Sequence, residues 1–227
     1  MAKKLALDQS GTTVVTVEDS GITLPSFKFV ANAGRKALDD IDTDLVLITK
    51  LYRMDVPAAL HHREPNVADI LKRTVNEGFH GKKGTARLLT VPLRNSRGES
   101  GRYVLFLGLG QAINYCGQTA CTVFRKLFQT AIDLEVESVL VPFVPNPMTK
   151  TALTHKATAF KMKSILAEVV AERGHAGKLR EIKVFCHPNA VPTIQDGLMI
   201  EQGEGCNCHA HPGNAIAKNL PTLRLEG

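Results

Sequence analysis

Four potential metal ligands fall within six residues near the carboxyl end: Cys206, Cys208, His209 and His211, in the run Cys-Asn-Cys-His-Ala-His. Soft thiolates beside imidazoles suit zinc or copper, so this run carries a metal expectation. Ligands so close together seldom all reach one tetrahedral ion, and a site here would draw a second ligand pair from elsewhere. The alternative is a turn-rich tail that holds no ion. A second constellation is charge. Between Gly81 and Arg102 stand six basic residues (Lys82, Lys83, Arg87, Arg94, Arg97, Arg102) against one acid, Glu99, while the whole chain carries only +6. A patch of that kind attracts polyanions, and Lys82, Lys83, Arg94, Arg97 and Arg102 are the phosphate-contact candidates. The competing reading is a solvated hairpin loop. A third is Gly108-Leu109-Gly110, where an apolar strand exits towards a helix. Backbone amides there, with the helix N-terminus that follows, have the chemistry to hold a phosphate. Glycines also serve a tight strand exit for purely structural reasons.

These residues need elements to hold them. Phe79 to Gly110 reads as a turn, a strand over Arg87 to Val91, a basic loop, and a second strand over Tyr103 to Leu107. The second strand is a short continuous apolar run, as expected where both faces of a sheet are covered. Thr12 to Glu18 and Phe27 to Val30 read as short strands, Asp44 to Leu51 as a buried one. A helix runs from Asn66 to about Phe79 and closes on Gly78 and Gly81. Downstream follow an amphipathic helix over Thr119 to Leu134, a strand over Ser138 to Phe143, and a helix over Thr154 to Arg173. A strand over Ile182 to Cys186 and a short helix opening at Asn189 complete the pattern. Strands alternating with helices predict an α/β sheet protein.

At 227 residues, with 44% hydrophobic and 22% charged content, the chain has ample material for a core. Tryptophan is absent and aromatics make up 5%, which leaves little for a base-stacking platform. No signal-peptide core follows Met1, and no apolar run approaches a membrane span. Five cysteines, an odd number, argue against a disulfide framework and for a reducing, cytoplasmic setting. Cys116 and Cys121 read as small apolar fillers. His61 and His62, with Asp55, sit in the loop after the Asp44 strand and are the titratable group nearest a strand exit.

Taken as an ordered set, several stretches resemble a known family. They are Asp44-Leu45-Val46-Leu47-Ile48, the helix to Phe79, Gly81-Lys82-Lys83-Gly84, Val104 to Gly110, the strand at Val139, Lys183-Val184-Phe185 and Gln195-Asp196-Gly197-Leu198. In order and spacing they are similar to the amino-terminal domain of two-zinc leucyl aminopeptidases, over about residues 44 to 200. The resemblance implies a macro-domain-like fold, a three-layer α/β/α arrangement around a mixed, mostly parallel sheet. It divides the chain into strands and extension at 1–43, the macro-like domain at 44–200, and the Cys/His tail at 201–227. The family's two-metal peptidase signature, Asn-Thr-Asp-Ala-Glu-Gly-Arg-Leu, occurs nowhere in the sequence. Aminopeptidase activity is therefore not expected.

Three functions follow as expectations. The first is a binding or homo-oligomerisation module, the role such a domain has in relatives. The second is a site for ADP-ribose or a related nucleotide beyond the carboxyl ends of the strands, lined by Gly108, Gly110, Asn114, Asn146 and Thr149. Ala31-Asn32-Ala33-Gly34 resembles the macro-domain Asn-Ala-Ala-Asn loop, without the glycine-rich run that follows it there. An ADP-ribosyl hydrolase would also need a positioned water, for which no residue stands out. The third is salt-sensitive DNA binding through 82–102.

Overall fold

The apolar run Leu45–Leu51 forms a strand covered on both faces, and the helical layers rest on it. The computed structural model describes residues 4–7, 13–19, 22–31, 38–53, 65–111, 116–143 and 153–200. In chain order its strands are β1 (Lys4–Leu7), β2 (Thr13–Thr16), β3 (Glu18–Asp19), β4 (Ile22–Thr23), β5 (Ser26–Ala31), β6 (Leu45–Leu51), β7 (Ala86–Arg94), β8 (Ser100–Gly110), β9 (Ser138–Phe143) and β10 (Glu181–Cys186). The helices are α1 (Pro65–Asn76), α2 (Gly117–Asp133), α3 (His155–Arg173) and α4 (Val191–Met199). Eight strands make one sheet in the order β1-β2-β5-β10-β9-β6-β8-β7, and β3 with β4 makes a small separate ribbon. The five strands from β5 across to β8 run parallel, while β7 and β2 run antiparallel to their neighbours. The sheet is thus mixed and mostly parallel, between helices on both faces.

Each face has its own apolar cluster. Leu45, Leu47, Leu105, Leu107, Val139 and Val141 point towards α2, α3 and α4. Val46, Ile48, Val104, Phe106 and Leu140 point the other way, towards α1 and Phe79. In α2, Ala120, Val123, Phe124, Leu127, Phe128 and Ala131 recur at three- and four-residue steps and are buried, as a helix laid along a sheet requires. α3 is buried on most of its circumference because α4 covers it from outside. Gly197 permits that approach, since a Cβ there would run into the Lys156 carbonyl oxygen. Thr154 caps α3, its Oγ1 accepting from the Ala157 N–H at 3.1 Å, and Gly174 ends it at φ 76°.

The amino ends of the parallel strands are held by two buried charges. The Asp44 carboxylate accepts five hydrogen bonds: from the Ser96 N–H and hydroxyl (2.9 and 2.6 Å), the Glu137 N–H (2.9 Å), and the Ser138 N–H and hydroxyl (2.8 and 3.2 Å). This single side chain joins the starts of β6 and β9 to the β7–β8 turn. Burial alone would raise its pKa, but the bonds from Ser96, Ser138 and Glu137 outweigh that and hold it below the ordinary carboxylate range. Arg102 is fully buried, with Nε donating to the Arg94 carbonyl at 2.7 Å and Nη1 and Nη2 to those of Leu38 and Asp39 at 3.3 and 3.5 Å. Burial pulls its pKa down, opposed by the charges of Asp39, Asp42 and Asp44.

Several sequence expectations change in detail. β8 starts at Ser100 and β7 runs to Arg94, so the basic loop shrinks to a turn over 95–99. Gly108 to Gly110 belong to β8 rather than to an exit from it. The segment 1–43 supplies β1, β2 and β5 to the same sheet as the rest, β5 pairing with β10 from Ser26 to Ala31.

Candidate functional site

At the carboxyl edge of the sheet β6 and β9 part company. Their ladder covers only Leu45 with Val139 and Val46 with Leu140, whereas β6 stays paired to β8 as far as Leu51 and β9 to β10 as far as Phe143. A crevice therefore opens between the two central strands. Thr49 marks its floor: in a strand otherwise buried along its length, it alone is exposed. It shares the face of Leu47 and Leu51, the face that α2 and α3 cover. Both helices begin at this edge, because each follows a strand that ends there, and their amide-rich N-termini flank the opening.

The walls are closely built. Gly117 begins α2, and a Cβ on it would come 2.6 Å from Lys161 Cε, so the lysine stem of α3 crosses the first turn of α2. Cys116 is the exposed N-cap of α2, with Sγ 3.8 Å from the Thr119 hydroxyl. Partial burial raises its pKa, but hydrogen bonding from Thr119 and Gln118 and the charge of Lys83 bring it out below the ordinary thiol value. On the wall of β9, the rings of Phe143 and His155 lie 6.3 Å apart.

The rim is positive. Its described segments, 50–53, 79–85, 108–111, 116–119, 153–156 and 186–189, include Lys50, Arg53, Lys82, Lys83 and Lys156 and no carboxylate. Lys50 is buried at the end of β6 and donates to the Leu51 carbonyl at 3.2 Å. Arg53 holds a left-handed backbone at φ 56°, pinned by its N–H to the His80 carbonyl (3.0 Å) next to the Tyr52 N–H bond to the Gly110 carbonyl (2.8 Å).

Of the nucleotide-lining candidates, Gly108 and Gly110 are described, and their amides are already used. The Gly108 N–H donates to Thr85 O (2.9 Å) and the Gly110 N–H to Gly81 O (3.0 Å). Their glycine identity has another cause. A Cβ on Gly108 would overlap the Lys82 carbonyl oxygen, and Gly110 has φ 77°. Gly108 lines a small cavity between β8 and α2 with Lys83, Thr85, Thr119, Thr122 and Lys126. Asn114, Asn146 and Thr149, like Asn32 to Gly34, Asp55, His61, His62, Cys206, Cys208, His209 and His211, lie outside the described residues.

The five polyanion candidates do not form one patch. Lys82 and Lys83 are exposed at the carboxyl edge, Arg94 and Arg97 at the opposite end of β7, about 27 Å away for a strand of that length. Arg97 pairs with Glu137 at 3.2 Å. Arg102 leaves the set altogether, being buried with its donors on carbonyls. The sequence reading missed Thr49, Lys50 and Arg53. The signal for the first two was a pair of polar residues inside the apolar run Ile-Thr-Lys-Leu.

No family model matches this sequence, and no curated protein matches it by sequence. Solved structures do match by shape. A Trypanosoma brucei macrodomain in complex with ADP superposes with a TM-score of 0.55 at 15% identity, covering 75% of this chain and 68% of that one. The fold is that of the macrodomains. An Oceanobacillus iheyensis macrodomain agrees over 84% of this chain and 94% of its own, at TM-score 0.57 and 11% identity. Tomato leucine aminopeptidase matches at TM-score 0.55 and 13% identity, covering 79% of this chain, which spans 38% of that enzyme's chain. The macro-like fold implied by the aminopeptidase resemblance is thus the fold observed. Among the described residues, no helix is long and apolar enough to cross a membrane, and no group of three or more His, Cys, Asp or Glu could hold a metal ion.

Proposed function

We propose that this chain is a binding module for a phosphate-bearing nucleotide of the ADP-ribose class, held in the crevice between β6 and β9. The observation that carries the reading is the early end of the β6–β9 ladder, which leaves Thr49 exposed at the centre of the carboxyl edge. Ligands of open α/β sheets lie in such a gap between diverging strands, beyond their carboxyl ends. The rim supports an anionic ligand: α2 and α3 both begin at this edge, and four exposed Lys or Arg side chains, Arg53, Lys82, Lys83 and Lys156, stand on its described segments without a carboxylate. Macrodomains of the same fold have been solved with ADP and with ADP-ribose, which supports the choice of ligand class.

Calorimetric titration of the full chain with ADP-ribose at low salt tests this. Saturable micromolar binding, weakened by added salt, is the expected result. Silence with ADP-ribose, ADP and AMP alike would contradict it. Light scattering on the same sample would report whether the chain also self-assembles, the other role the resemblance implies.

A further inference from the structure

We infer that the Thr49 hydroxyl is a specificity-determining contact of this crevice, exchanging a hydrogen bond with a polar group of the bound nucleotide; the inference rests on the nucleotide reading above. Leu45, Leu47 and Leu51 share its face of β6 and are all buried, with Thr49 exposed between Leu47 and Leu51. On one side its Cα partner is Leu107, itself buried. On the other side the ladder to β9 has already ended. The gap is bordered by Leu47, Val141 and Phe143, apolar groups that fix position by shape and read no polar chemistry. A hydroxyl on that floor is the group able to tell a polar ligand atom from an apolar one, as donor or as acceptor.

The competing explanation is that threonine is there for its β-branch alone, which suits a strand. Valine would then serve equally well, since it differs from threonine only in replacing the hydroxyl with a methyl. The two accounts separate on the full chain with carbon-13-labelled threonine methyls, titrated with ADP-ribose, alongside Thr49→Val and Thr49→Ser. The inference expects the Thr49 methyl resonance to shift with ligand. It expects Thr49→Val to bind about tenfold more weakly, as for a lost hydrogen bond that strands a ligand group, and Thr49→Ser to stay within about threefold of wild type. Binding that leaves the Thr49 methyl unmoved, or Thr49→Val binding as tightly as wild type, overturns the inference and leaves the nucleotide reading intact. Wild-type protein that binds neither ADP-ribose nor ADP overturns both. Should Thr49→Val fail to fold, the wild-type methyl shift and Thr49→Ser still decide.

Discussion

The Asp44 carboxylate accepts five hydrogen bonds, and its pKa is depressed in consequence. The sign of the pH effect follows. A depressed folded-state pKa means that Asp44 stabilises fully above the unfolded carboxylate value of about 4, and that this contribution drains away as pH falls through the folded value. Asp44→Asn, which keeps the shape and loses the charge, should cost about 2 kcal/mol at pH 7 and progressively less under acid. Urea titrations at pH 7 and pH 3 measure both. Equal losses at the two pH values would count against the ionic role. Arg102 yields a second prediction. Its planar fork reaches carbonyls on two separate stretches of chain, Leu38–Asp39 and Arg94, which an ammonium cannot match. Arg102→Lys should therefore lower Tm by roughly 5–10 °C in calorimetry, for a loss of about 2–3 kcal/mol. The cysteines separate by environment. Cys116 is exposed with its thiol pKa lowered, and Cys186 is buried with its thiol pushed up to about 11. In brief alkylation at pH 7 followed by peptide mass spectrometry, the Cys116 peptide should be labelled well before the Cys186 peptide, which waits for denaturant. Comparable labelling of both would contradict the packing around Cys186.

At the scale of elements, the turn over 79–85 is fitted against β6 and β8 with no room to spare. Gly81 has φ 77°, and a Cβ there would stand 2.7 Å from the carbonyl oxygens of Lys50 and Leu51. Gly108, which has an ordinary φ, meets the Lys82 carbonyl from the other side. Gly108→Ala should thus destabilise by overpacking alone, by about 2–3 kcal/mol in a denaturation midpoint; a loss under about 0.5 kcal/mol would show that the turn yields easily. What was legible in the sequence follows from the same physics. β6, β8, α2 and α3 announce themselves because burial on a face or all round demands apolar residues at a fixed period, and their bounds fall within a few residues of expectation. Arg102 was not legible. A lone arginine after Gly101 in a basic stretch looks solvated, and only the distant carbonyls of Leu38 and Asp39 make its burial tolerable. Nor was the gap above Thr49, since the divergence of β6 from β9 is a relation between two strands about 90 residues apart in the chain.

Across the whole molecule the two edges of the sheet are built for opposite ends. At the amino edge, Asp44 ties β6, β9 and the β7–β8 turn together, and Arg102 ties β8 to the segment before β6. At the carboxyl edge the same central pair, β6 and β9, is left apart beneath two helix N-termini and a cationic rim. The same division separates the basic residues of 82–102, since β7 carries the two ends of that stretch to opposite edges. Amide chemical-shift mapping of the full chain with ADP-ribose decides whether the carboxyl-edge crevice is the ligand site. Ligand in the crevice should concentrate shifts at 47–51, 141–143, 116–119 and 153–156 and leave the amino-edge turn at 95–99 and residues 135–138 unmoved. No shifts at saturating ligand, or shifts centred on the amino edge, would contradict it.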